Sequence, residues 1–157
     1  MADKNQFEVM REATIPAPRE SVFALLSDFH RWPEWSPWED IDPNMKRTHS
    51  GTPSGAGAIY EWDGNRKAGA GRMEIIEANA PSRVQIDLQF LKPFKSHNTT
   101  TFELANRDGG THVTWRMVGP KTFFTRVMGI FTSMDKMVGP DFEKGLAQLS
   151  EAAQGRG

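Results

Sequence analysis

At 157 residues, with 38% hydrophobic and 25% charged residues and a formal net charge of -1, the chain is long enough to bury a core without disulfides or metal staples. It lacks the basic footprint of a nucleic-acid binder, and having no cysteine it has no disulfides, thiolate metal sites or cysteine nucleophiles. No stretch approaches the roughly 20 apolar residues of a membrane span, and the charged opening MADKNQFEVMRE has no apolar run resembling a signal peptide. The simplest reading is a cytoplasmic protein with one domain over residues 1–157 and its core at about 6–153.

Residues 7–15 place Phe7, Val9, Ala13 and Ile15 in one phase and predict a first strand, closed by Pro16 and Pro18 because proline cannot donate to a ladder. Val22, Phe23, Leu25 and Leu26 then fall at helical spacing over Ser21 to Leu26, and Ser27 and Asp28 offer a cap for a second short helical piece. The string HRWPEWSPWED follows, with Trp32, Trp35 and Trp38 three residues apart. Residues before proline avoid the α region, so Pro33 and Pro37 exclude one continuous helix here and suit short 3₁₀-like turns.

From Asn44 the period changes to two. Segments 44–49, 57–63, 69–78, 83–90, 97–105 and 111–119 are predicted strands, separated by turn signals such as Asp63-Gly64-Asn65 and Asp108-Gly109-Gly110. The alternation is clearest where Val84, Ile86, Leu88 and Phe90 oppose Gln85, Asp87 and Gln89, and where Val113, Trp115 and Met117 oppose His112, Thr114 and Arg116. Beyond Pro120 the stripe Phe131, Met134, Val138, Phe142, Gly145, Leu149 predicts a long amphipathic helix, with Pro140 expected to kink it. Seven strands carry more apolar face than two short helices can cover, so the antiparallel sheet must curl around the C-terminal helix, leaving a hollow between them. The class is α+β, in the order strand, two short helices, six strands, long helix.

This order, with the strings IPAPRESVFALLSDFHRWPEW, GAGRMEIIEANAPSRVQIDL, TFELANRDGGTHVTW and GPDFEKGLAQL, resembles the SRPBCC or START-like superfamily. That is the helix-grip fold of polyketide cyclase/dehydrase-like proteins, aromatase/cyclases and lipid-transfer domains. The resemblance implies a deep apolar cavity between the curved seven-stranded sheet and the final helix that accepts a hydrophobic small molecule or lipid. Because fold does not carry function, it implies no single reaction.

The expected lining is Tyr60, Trp62, Met73, Ile75, Leu88, Phe90, Phe102, Trp115 and Met117, facing Met134, Val138 and Phe142, a set rich in rings and adaptable thioethers. Trp32 and Trp35 are expected as structural wedges and Trp38 at the cavity rim. The apolar segment FFTRVMGIF, residues 123–131, is a candidate entrance or subunit contact. A monomer and a homodimer both stay open.

Binding or transport is the first functional reading, and a polyketide cyclase or dehydratase acting in the same cavity is the alternative. A regulatory interaction domain is a third. For an enzyme, the catalytic candidates are Tyr60 with Glu61 or His97, since a buried carboxylate or imidazole near a ring is a usable acid or base. The glycine-rich GAGAI (55–59) and GAGRM (69–73) each run into a strand and not onto a helix N-terminus, so they read as strand starts or bulges and not phosphate cradles. Histidines 30, 49, 97 and 112 show no paired spacing, so neither a metal nor a cofactor is expected.

Overall fold

Alternation in the first segment folds as written: β1, Gln6–Ile15, buries Phe7, Val9 and Ile15 and turns Glu8, Met10 and Glu12 outward. The computed structural model describes residues 6–40, 42, 44–65, 69–92, 95–120 and 134–155. Helix α1, Arg19–Leu26, starts two residues earlier than its apolar periodicity, because the Pro18 carbonyl already accepts from the Ser21 and Val22 amides at 3.1 and 3.3 Å. It buries Val22, Leu25 and Leu26. Two 3₁₀ turns follow, Phe29–Glu34 and Pro37–Asp40. Asp28 caps the first, its side chain accepting from the His30 amide at 2.9 Å.

The remaining strands are β2 (Lys46–Gly51), β3 (Ala58–Asp63), β4 (Ala70–Asn79), β5 (Arg83–Lys92), β6 (Ser96–Arg107) and β7 (Gly110–Pro120), and the C-terminal helix α2 spans Met134–Ala153 with Pro140 inside it. All seven strands form one antiparallel sheet in the order β1-β7-β6-β5-β4-β3-β2. The predicted helix-grip architecture is therefore the observed one. Strand β2 lies two residues later than expected, where Gly51, Gly55 and Gly57 at positive φ turn the chain into β3.

One strand breaks its own alternation. The register of β4 against β5 shifts between Ile75 and Glu77, which leaves Ile76 as a bulged residue, 51% exposed, and returns Ala78 to the inner face opposite Val84. The outer face is kept wet by a charged ladder in which Arg116 meets Glu8 at 3.0 Å and Glu103 at 3.6 Å, and Arg83 meets Glu103 and Glu77 at 3.4 Å. Such pairs add little stability singly. They fix which face stays in water. Among the described residues no helix is long and apolar enough to cross a membrane.

Candidate functional site

The tryptophan-rich turns decide the shape of the interior. The last carbonyls of a helix have no partner within it, and in α1 the Leu26 and Leu25 carbonyls accept from the indole N–H groups of Trp32 and Trp35, each at 3.1 Å. The two tryptophans therefore stop α1 and fill one end of the sheet's concave face. Trp35 is 1% exposed and packs its ring edge to face with Phe102 at 6.1 Å and Trp115 at 5.6 Å.

Beyond this plug a hollow of about 250 Å³ remains between the sheet and α2. Of the residues expected to line it, Trp38, Tyr60, Trp62, Met73, Leu88, Phe90, Trp115, Met117, Val138 and Phe142 do so. Ile75 and Phe102 do not. Both are completely buried in the packed core, Phe102 beneath Trp32, Trp35 and Trp115. The Met134 side chain and segment 123–131 lie outside the described residues. Trp32, Ser36, Glu39, Met45, Ile86 and Thr100 also line the hollow and were not in the expected set.

Trp115 and Phe142 stack at 4.0 Å with their planes 8° apart, and Trp38 meets both edge to face at 5.8 and 6.1 Å. Trp62 crosses to Phe90 at 5.9 Å. Two of these indoles, Trp115 and Trp62, each rest on a glycine. A Cβ at Gly145 would come 2.8 Å from Cζ3 of Trp115, and one at Gly71 would come 2.3 Å from Cη2 of Trp62. Gly71 is the cross-strand partner of Trp62, so the second GAG string is a bed for a ring and carries no phosphate-cradle geometry.

The wall has one polar corner. Tyr60, 2% exposed, donates its hydroxyl to Oε2 of Glu39 at 2.7 Å. Arg47 donates from Nε to the other carboxylate oxygen at 3.0 Å, and its terminal nitrogens donate to the Met45 and Glu39 carbonyls at 3.3 and 2.8 Å. Burial, reinforced by the adjacent Glu39 carboxylate, raises the Tyr60 pKa, so the phenol holds its proton. Burial works against the Arg47 charge, but the Glu39 hydrogen bond and charge outweigh it and the net shift is upward. Behind Tyr60, His49 stacks on its ring at 5.1 Å and His30 stacks on His49 at 4.2 Å. Burial and the neighbouring His30 lower the His49 pKa.

The expected partners of Tyr60 are elsewhere. Glu61 is exposed, and His97 is exposed and paired with Asp87, another outward-phase residue of the sheet. Strand parity separates each of them from Tyr60. The residue that meets the phenol, Glu39, comes from the second 3₁₀ turn, where no periodicity marks it.

The model of the family described as polyketide cyclase / dehydrase and lipid transport matches residues 6–154. The chain belongs to this family. No curated protein matches its sequence. Among solved structures, this polyketide cyclase/dehydrase family chain is similar in fold to Ms6760 from Mycobacterium smegmatis, at 19% identity and TM-score 0.66 with 100% of this chain and 97% of that one covered. It is likewise similar to MLL2253 from Mesorhizobium loti, at 21% identity and TM-score 0.65 with 93% and 98% covered, and to Ara h 8.0201, at 12% identity and TM-score 0.61 with 96% of each chain covered.

Proposed function

We propose that residues 6–153 act as one domain that binds a compact, mainly apolar small molecule in the hollow between the sheet and α2. The observation that carries this reading is the lining itself. Facing aromatic rings and the methionines Met45, Met73 and Met117 surround a space that the tryptophan plug and the glycine beds keep from collapsing. At about 250 Å³ the space falls just under the ~300–1,000 Å³ common for small-molecule pockets. That suits two or three fused rings better than a long acyl chain. Apolar burial supplies the affinity, and the Glu39–Tyr60 corner orients whatever polar group the ligand carries.

Cyclase or dehydratase chemistry in the same cavity is the alternative. It needs a group free to take or give a proton. Among the described lining residues the titratable ones are Glu39 and Tyr60, and each is committed to the other, which favours binding. Protein purified from its host without lipid extraction and examined by native mass spectrometry is expected to carry a bound mass that organic solvent removes. An empty protein that also fails to take up naphthalene-sized compounds saturably would overturn the reading.

A further inference from the structure

The polar corner has a consequence for which molecules the hollow admits. Glu39 is 7% exposed and lines the cavity with a carboxylate whose two oxygens are both already engaged, one by Tyr60 and one by Arg47. No lysine, arginine or histidine is among the described lining residues. The nearby cation, Arg47, directs Nε to the Glu39 carboxylate and its terminal nitrogens to two backbone carbonyls. The other polar groups of the lining side chains, the hydroxyls of Ser36 and Thr100 and the indole N–H groups, among them the buried Trp115 Nε1 that has no hydrogen-bond partner among the described residues, are uncharged. An anionic head entering this space would lose its water, meet a fixed negative group and find no free cation among the described lining residues. An ion buried without a partner is strongly disfavoured.

We propose that Glu39 makes the cavity charge-selective, admitting uncharged ligands and excluding carboxylates such as free fatty acids. The proposal rests on the binding reading and adds a selectivity to it. Arg47 and Tyr60 then have a definite role: each donates to one oxygen of the Glu39 carboxylate and holds it fixed at the wall.

The test uses two probes with the same ring body, methyl 2-naphthoate and 2-naphthoate, titrated at about pH 7, where a carboxyl group is ionised. The intact protein is expected to bind the ester at least about a hundredfold more tightly than the carboxylate. In Glu39→Gln the wall charge is gone and Arg47 loses its counter-ion, so the ratio is expected to fall to within about tenfold. A ratio unchanged in Glu39→Gln would show that Glu39 does not set the selectivity. Equal affinities in the intact protein would refute the filter while leaving the binding reading in place, and failure of both probes to bind would refute the binding reading itself. A measurement independent of any variant is the pH dependence in the intact protein. The acid's affinity is expected to rise as pH falls toward its own pKa while the ester's stays level, and an acid affinity that does not rise would overturn the proposal.

Discussion

Trp35→Ala is expected to lower the unfolding free energy by about 3–5 kcal/mol, the range for deleting a large aromatic side chain from a packed core. Trp35 is 1% exposed and touches the rings of Trp32 at 4.7 Å, Trp115 at 5.6 Å and Phe102 at 6.1 Å. Its removal also uncaps the Leu25 carbonyl, and a buried acceptor left without a donor costs about 1–3 kcal/mol. Trp35→Phe keeps much of the volume and loses the cap, so it should fall between the wild type and alanine. Urea denaturation with an unchanged slope is the measurement, and a loss below about 1 kcal/mol for alanine would refute the plug. Trp38, half-buried at the cavity wall, has no such capping bond.

The second large effect is expected at Gly71. An alanine Cβ there would sit 2.3 and 2.5 Å from Cη2 and Cζ2 of Trp62 and 2.6 Å from the Gln89 carbonyl oxygen. The carbonyl belongs to the neighbouring strand and cannot retreat, so the indole must move off its bed. Glycine to alanine in a strand otherwise gains up to about 1 kcal/mol from a less disordered unfolded chain. Overpacking is expected to outweigh this and leave Gly71→Ala about 1–3 kcal/mol less stable. Trp62 lines the hollow, so the variant should also take up ring compounds less well. A variant as stable as the parent, with unchanged uptake, would contradict the placement of Trp62.

Much of this was legible in the sequence because strands and helices write their burial at fixed periods. Val84, Ile86, Leu88 and Phe90 announced an inner face and the structure has it. Periodicity assigns a face and stops there. Ile75 and Ile86 are cross-strand partners on the same face, yet Ile86 lines the hollow and Ile75 is sealed in the core. Phe102 went the same way. Thr100 shares its phase and lines the hollow, but its polarity hid it among candidate apolar positions.

Glu39 was illegible for a different reason. Its partners are Arg47, eight residues on across a loop, and Tyr60 on β3, twenty-one residues on, and only the folded corner brings the three together. The tryptophan triplet divides less cleanly than its spacing suggested: Trp35 is packed structure, Trp38 lines the hollow, and Trp32 both bonds to α1 and lines the hollow. What the spacing did not reveal is that Trp32 and Trp35 act as hydrogen-bonded caps on the helix before them.

The central claim is that a compact ring compound enters the hollow between the sheet and α2. The most direct measurement is nuclear magnetic resonance of methyl-labelled methionines during titration with methyl 2-naphthoate. Met45, Met73 and Met117 line the cavity, whereas Met10 lies on the outer face at 36% exposure beside Arg116. Ring-current shifts that saturate together at one equivalent for the three cavity methyls, with Met10 unmoved, are the predicted result. Shifts confined to Met10, or shifts that grow without saturating, would contradict the account.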